Sequence, residues 1–427
     1  MRWPSSAADI ARIHSARKRI AVERALQAPF WKRRMPPIDL ARLDDPQEWR
    51  KIPVLTKEAL REIPAQWFHE EFCIAPRTKV VEYWRSGGAT GRPLFYPRSA
   101  EDMATNIMAF ERAWALIGAT AEDCAHISFP LGVHPVAHLY ARAAEGLGIG
   151  TIWCGAGANT PSLTQLELIR DLKPTIWCGM GSYGLHLANL AEAQGFDLAN
   201  SSVKKIIVAA EPLSPAKRQK LERSWGAVVS DQFGMTEGAL VSVQSPGGDG
   251  LHVWSDLFFC EVVDETTGEP VPDGKIGTLA MTALTNNNIT PFLRWNSGDL
   301  ISMRSKGYGS GPWSMFPVMH HARRTVGFFK VRGVNINHNE LEDLMFFNQA
   351  IQDFKAEVVA TDEGNDLLRL LVEPRRGHDT GEVRRGIVAG VQKTFEMTPE
   401  IVILETGTLG KEFESTIKAA RFVDRRG

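Results

Sequence analysis

Between residues 149 and 225 the chain alternates a short apolar run with an amphipathic stretch three times over. Ile149-Gly150-Thr151-Ile152-Trp153, Pro174-Thr175-Ile176-Trp177-Cys178 and Lys205-Ile206-Ile207-Val208-Ala209-Ala210 have the length and apolar content of strands. The stretches 161–172, 185–193 and 215–225 carry helical spacing. Strands separated by helices are joined by crossovers rather than tight turns, so they run parallel and are covered by helices. The rhythm therefore predicts an α/β fold with mostly parallel sheets flanked by helices.

The rest of the chain fits around that block. The stretch up to about Leu60 reads helical, broken at Met35-Pro36-Pro37 and Asp44-Asp45-Pro46. After Leu251 helical spacing thins out, and 253–263, 277–282 and 292–295 predict a β-rich section. The last hundred residues predict an α+β mixture, with helices near 339–347 and 381–395 and a strand at 367–372. We expect a large N-terminal domain over 1–324 and a small, mobile α+β domain over 325–427. The 427 residues are ample for two such cores.

Charge narrows the class of partner. With 49 Lys+Arg against 50 Asp+Glu the net charge is -1, which argues against nucleic acid or an anionic membrane as a bulk partner. No apolar run reaches the ~18–20 residues a membrane span needs. The first twenty residues lack the apolar stretch of a secretory leader. The cysteines (Cys73, Cys124, Cys154, Cys178 and Cys260) are scattered and form no CxxC pair. A cytoplasmic enzyme is the expectation; the oligomeric state, a homodimer among the options, stays open.

Four segments have residue types suited to chemistry. The first is Tyr83-Trp84-Arg85-Ser86-Gly87-Gly88-Ala89-Thr90-Gly91-Arg92-Pro93, whose glycines and hydroxyls could form an anion-wrapping nest or simply a hairpin turn. It lacks a P-loop ending, and Leu94-Phe95-Tyr96 reads as a strand. The second is Gly179-Met180-Gly181-Ser182-Tyr183-Gly184 between a strand and a helix, the setting of a dinucleotide fingerprint. No acidic residue sits about 20 positions on at the end of the next strand, so a generic turn competes with an NAD-dependent oxidoreductase. The third comprises Ala209-Ala210-Glu211-Pro212-Leu213-Ser214 and Ser230-Asp231-Gln232-Phe233-Gly234-Met235-Thr236-Glu237, each after a strand. There Phe233 offers a flat face to a base and Glu237 a hard oxygen to magnesium. The fourth is Leu293-Arg294-Trp295-Asn296-Ser297-Gly298-Asp299-Leu300, where Asp299 could accept from ribose hydroxyls or close a turn. No GxSxG elbow is present, and His126, His134 and His138 read as ordinary, partly buried histidines rather than metal ligands.

Taken together and in this order, these segments resemble the adenylate-forming acid ligases (acyl-CoA synthetases, adenylation domains and luciferases), in particular the phenylacetate–coenzyme A ligase branch. RSGGATGRP is similar to the branch's phosphate loop, AAEP and DQFGMTE to its adenine segments, and RWNSGDL to its ribose segment. The resemblance starts near Ala28-Pro29-Phe30-Trp31, passes through Lys51-Ile52-Pro53-Val54-Leu55-Thr56-Lys57, and ends at Lys418-Ala419-Ala420-Arg421-Phe422-Val423-Asp424.

It implies ATP-dependent, AMP-forming activation of a carboxylic acid, with Mg²⁺ as cofactor and pyrophosphate as leaving group. Ser86, Gly87, Gly88, Ala89, Thr90 and Gly91 would hold the β- and γ-phosphates. Ala210, Glu211, Pro212, Asp231, Gln232, Phe233, Gly234 and Met235 would line the adenine. Thr236 and Glu237 would meet the α-phosphate and the magnesium, and Asp299 and Arg324 the ribose. Lys418 would reach the α-phosphate and the attacking carboxylate. Phe129, Tyr140, Trp153, Trp177 and Tyr183 are candidates for an apolar acid pocket, which points to an aromatic or bulky hydrophobic acid.

Departures from the family's pattern keep most adenylation residues and alter those near the second half-reaction. Arg323-Arg324-Thr325-Val326-Gly327 lacks the family's Asp pair, the hinge position at Val326-Gly327 included. Asn335-Ile336-Asn337-His338 replaces N-V-F-P, and Gly88-Ala89 and Arg92 stand where Thr-Thr and lysine are expected. The acceptor is thus open among coenzyme A, an amine and a carrier-protein thiol. A degenerate, nucleotide-binding ligase without turnover is the other competing class.

Overall fold

The structure, a computed structural model, describes residues 3–86, 92–305, 311–324, 328–360, 366–416 and 419–426. Gly87, Gly88, Ala89, Thr90, Gly91 and Lys418 lie outside the described residues, as do Thr325-Val326-Gly327 and the side chain of Arg324.

Helix α1 (Ala7–Ala25) opens the chain, its N-cap Ser6 accepting from the Asp9 N–H. Short helices follow at Pro29–Arg34, Pro46–Arg50, Lys57–Arg61 and Phe68–Phe72. The first two start on proline, where the missing N–H costs nothing. Strands β1 (Glu82–Arg85) and β2 (Phe95–Arg98) form an antiparallel hairpin. Helix α2 (Ala100–Leu116) then begins with a reciprocal capping box between Ser99 and Asp102.

The alternating block follows as expected: β3 (Cys124–Ile127), α3 (Val136–Gly146), β4 (Gly150–Trp153), α4 (Ser162–Leu172), β5 (Ile176–Gly179), α5 (Gly181–Ala193), β6 (Lys205–Val208) and α6 (Pro215–Trp225). Gly226 stops α6 in the left-handed region at φ 60, and a Cβ there would stand 2.2 Å from the Ala199 carbonyl. Strands β7 (Val228–Met235), β8 (Ala239–Gln244), β9 (Leu251–Val253), β10 (Phe258–Val263), β11 (Ile276–Ala283), β12 (Trp295–Arg304) and β13 (Val318–Arg324) come next. The C-terminal part holds β14 (Phe328–Val331), β15 (Val334–Asn337), α7 (His338–Phe347), β16 (Ile351–Ala360), β17 (Asp366–Pro374), α8 (Thr380–Phe395), β18 (Glu400–Ile403) and β19 (Phe422–Asp424).

These elements form two compact units. One comprises Met1–Asp123, Leu131–Thr151 and Ser230–Arg324; the other Cys124–Pro130, Ile152–Val229 and Thr325–Gly427. The first unit carries an antiparallel sheet in the order β10-β11-β12-β13-β9-β8-β7. Its strands are joined by turns rather than helices, so the antiparallel share is larger than the βα rhythm alone implies. The strand predicted at 292–295 begins only at Trp295. Arg294 is the reason: it adopts φ 43, and its buried guanidinium donates to Glu261, the Ile52 carbonyl and the Gly268 carbonyl. Phe72, Tyr96 and Phe292 pack edge-to-face in the core of this unit, with centroids 5.2–5.4 Å apart.

In the second unit β6, β5 and β3 pair in parallel. A separate sheet of order β18-β17-β16-β19 mixes one antiparallel with two parallel pairs. Buried charges join these parts. Lys217 on α6 lies 3.2 Å from Glu211 and 3.0 Å from Glu342 on α7. Burial would lower its pKa, but the two carboxylates outweigh that and hold it above the ordinary value. Arg421 pairs in turn with Glu342 and Asp353. Among the described residues no helix is long and apolar enough to cross a membrane.

Candidate active site

The turn at Thr236 and Glu237 follows β7 in the first unit. Its anchors come from β2, the strand that follows the glycine-rich loop. Arg98 is completely buried, and its Nη2 donates to the carbonyls of both Thr236 and Glu237 at 2.7 Å. Its Nη1 donates to Thr290 Oγ1 at 3.0 Å, and the guanidinium lies 4.6 Å from the Trp84 ring. Tyr96, two residues earlier, donates from its hydroxyl to Glu237 Oε1 at 3.0 Å. Glu237 is buried, and desolvation raises its carboxyl above the ordinary value despite that bond and the nearby Arg98. A carboxylate whose charged form is disfavoured by burial suits a divalent cation held by one protein oxygen and substrate phosphates. Among the described residues no three His, Cys, Asp or Glu side chains are gathered to cage a metal.

The hairpin gives the glycine loop its base. Ser86 N–H donates to the Leu94 carbonyl at 2.8 Å, and Ser86 Oγ accepts from Leu94 N–H at 3.0 Å. Arg92, where the resemblance expects lysine, donates instead to the carbonyl of Ile63 at 2.7 Å. It therefore serves the loop's neck.

Strand β7 carries the other expected base-binding residues. Gln232 is buried, accepts from the Tyr140 hydroxyl through Oε1, and has a buried Nε2 without a partner among the described residues. Asp231 N–H donates to Gln244 Oε1 at 3.2 Å. At Gly234 a Cβ would lie 2.4 Å from the Ala239 carbonyl, beside a bulge in the β7–β8 pairing, so a side chain has no room. Met235 closes the strand opposite Ala239. The Phe233 ring lies 5.5 Å from the ring of His321, tilted by 51°. His321 Nε2 is in turn 3.4 Å from the buried Asp299, whose backbone pairs with Arg324. Phe233, His321 and Asp299 thus line up along three strands of one sheet.

Arg98, Tyr96 and His321 are what motif reading missed. An arginine inside an apolar strand is a usable signal, because burying it requires that its donors find acceptors. No sequence pattern marks His321, whose role comes from strand register.

In the second unit Ala210 takes φ 69 and turns the chain after β6. The next residue, Glu211, accepts from Ser182 N–H at 2.5 Å and from Ser182 Oγ at 2.7 Å. It caps α5, whose own N-cap Met180 offers no side-chain acceptor. Pro212 is exposed, and its carbonyl accepts from Lys217 at 3.2 Å. This favours the generic turn over the dinucleotide reading of Gly179–Gly184, since the helix N-terminus that a pyrophosphate would need is taken by Glu211. The glycines have a packing cause. A Cβ on Gly179 would lie 2.5 Å from the Trp177 ring, and one on Gly184 3.1 Å from it.

The aromatic candidates are distributed unevenly. Trp177 is fully buried against Trp225, with centroids 5.1 Å apart, and acts as core. Tyr183 is buried, with its hydroxyl 3.0 Å from Ser162 Oγ. Phe129 is buried just after β3, and Trp153 is 41% exposed. His126 Nε2 lies 3.2 Å from Cys154 Sγ, a pairing that resembles a nucleophile and base. Burial pushes that thiol up to about 12 and that imidazole down to about 3, so both are neutral and unreactive.

Comparison with known proteins follows the same residues. The AMP-binding enzyme family matches residues 58–284. A phenylacetate-coenzyme A ligase of Aromatoleum evansii is 29% identical over 366 residues, covering 82% of this chain and 80% of the relative. One of Escherichia coli K12 is 29% identical over 334 residues, covering 75% and 71%. The fold is similar to that of a 2-hydroxyisobutyryl-CoA ligase solved in the postadenylation state, at TM-score 0.86 and 22% identity over 99% of this chain and 91% of that one. An anthranilate CoA ligase with bound anthranoyl-AMP aligns at TM-score 0.56 and 17% identity, over 85% and 73%. The chain belongs to the AMP-binding enzyme family, as an AMP-forming acid ligase of the phenylacetate–coenzyme A ligase branch.

Proposed function

We propose that the protein activates an aromatic or bulky hydrophobic carboxylic acid with ATP and passes the acyl group to coenzyme A. A carboxylate oxygen attacks the α-phosphorus, and the bond to the β-phosphate oxygen breaks. Acyl-adenylate forms and pyrophosphate leaves with that electron pair. The acceptor thiol then attacks the acyl carbon, and AMP departs with one oxygen of the acid. Both reactants of the first step are anions, so catalysis consists mainly of positioning and charge neutralisation.

The observation that carries this reading is the anchoring of the Thr236–Glu237 turn by Tyr96 and Arg98 from the hairpin that bears Ser86. It ties the expected phosphate loop (Ser86, Gly87, Gly88, Ala89, Thr90, Gly91) to the expected magnesium carboxylate. Glu237 would hold Mg²⁺, which when bound neutralises phosphate charge. Thr236 would hold the α-phosphate, and Phe233 the adenine face with Gln232 at its edge. Asp299 would hold the ribose, oriented by His321. Lys418, carried by the 325–427 lid, would supply the remaining positive charge at the α-phosphate. Phe129 and Tyr183 would border the acid.

The substrate class is supported by the relatives, which are phenylacetate ligases. Those same relatives support coenzyme A over an amine or a carrier-protein thiol. Acid-dependent pyrophosphate release, measured over a panel of aryl and alkyl acids with and without coenzyme A, tests the reading. Release with an aryl acid supports it. ATP binding without release on any acid would favour a non-turnover homologue.

A further inference from the structure

Helix α4 starts after Pro161, an N-cap residue that makes no side-chain cap. A residue from the far end of the chain fills that role. The Ser162 N–H donates to Glu414 at 3.3 Å (Oε1) and 3.2 Å (Oε2). A carboxylate at a helix N-terminus satisfies an orphan donor and meets the positive end of the helix dipole. The same carboxylate lies 3.5 Å from His186 Nε2, which is 3.1 Å from Ser162 Oγ.

Phe413 completes the contact. It is 5% exposed and stacks on His186, with centroids 4.9 Å apart and an interplanar angle of 22°. It also meets Tyr183 at 5.7 Å. Two glycines admit the segment: a Cβ on Gly157 would stand 2.4 Å from the Phe413 carbonyl, and one on Gly410 2.8 Å from the His186 ring. Upstream, Glu373 accepts from the N–H groups of Gly407 at 2.9 Å and Leu409 at 2.5 Å, and Lys355 pairs with Glu412. The segment 407–414 is therefore docked along its length by caps, an ion pair and a ring stack.

Lys418 follows Glu414 by four residues. Four residues span at most ~14 Å, so fixing Glu414 confines where that lysine can act. We infer that Phe413 and Glu414 are positioning residues for the adenylation step, docking on α4 and α5 the segment that leads to Lys418. The inference rests on the role proposed for Lys418.

The test uses the full chain with Phe413→Ala, Glu414→Gln and Lys418→Ala, singly and in pairs. Each docking variant should lower kcat for acid-dependent pyrophosphate release about 10–100-fold, with KM for ATP and for the acid within about threefold of the parent. Adding either change to Lys418→Ala should cost nothing further, because residues acting through one group are not additive. Hydrogen exchange over 407–416 should quicken in both docking variants. Glu414→Gln, at a half-exposed side chain, keeps the test alive if Phe413→Ala folds poorly. Unchanged kcat in the docking variants, multiplicative losses in the pairs or unchanged exchange would overturn the inference. Full activity in Lys418→Ala would instead overturn the role given to that lysine, and exchange alone would then decide the docking.

Discussion

The Tyr96 hydroxyl donates to Glu237 Oε1 at 3.0 Å, joining the strand after the glycine loop to a turn 141 residues later. Both groups are buried, so water cannot replace the bond cheaply. Tyr96→Phe should destabilise the protein by about 1–3 kcal/mol and raise the magnesium concentration needed for half-maximal activity. Urea unfolding and a magnesium titration check this, and a variant unchanged in both would remove Tyr96 from the site.

Arg98 gathers acceptors around one guanidinium: the carbonyls of Thr236, Glu237 and Asn286 and the hydroxyl of Thr290. A lysine is a point donor and cannot match that fork. Arg98→Lys should therefore fail to restore what Arg98→Met loses, about 3 kcal/mol or more of folding stability together with pyrophosphate release. Chemical denaturation alongside a release assay measures both.

Gly179→Ala separates packing from ligand binding. The new methyl would meet the Trp177 ring at 2.5 Å, so overpacking of about 1–3 kcal/mol is expected. ATP affinity in the folded fraction should be unchanged, and NAD should bind neither form. Saturable NAD binding by the parent, read by calorimetry, would restore the dinucleotide reading.

Burial lowers the pKa of His126 from 6.5 to about 3 and that of His338 from 6.5 to about 4. Below 6.5 the unfolded chain takes up protons that the folded chain refuses, so the unfolded state gains as pH falls. The stability these neutral rings carry is complete above pH 6.5 and declines toward pH 4, by up to ~1.4 kcal/mol per pH unit for each group. Unfolding midpoints between pH 7 and 4 should fall less steeply in His126→Gln than in the parent.

The alternation from Ile149 to Trp225 carried the parallel core into view because helix and strand periods are local properties. The antiparallel sheet was harder to see. Its register depends on pairings such as Asp299 with Arg324, and one left-handed residue, Arg294, moved the start of β12. Phe233, Glu237 and Asp299 could be named as candidates because motif order singles them out. Their supports, Arg98 and His321, were not, since buried hydrogen-bond geometry and strand register leave no fixed spacing. The GxGxxG segment stayed ambiguous in the sequence for a related reason: glycine serves close packing against an indole as readily as it serves a phosphate.

In the proposed reaction the acid's own oxygen attacks the α-phosphorus of ATP. Incubating the protein with ATP, Mg²⁺, coenzyme A and an ¹⁸O-carboxylate aryl acid, then weighing the AMP by mass spectrometry, tests it directly. One ¹⁸O in each AMP and none in the pyrophosphate is the expected result. AMP without label, or ADP in its place, would contradict it.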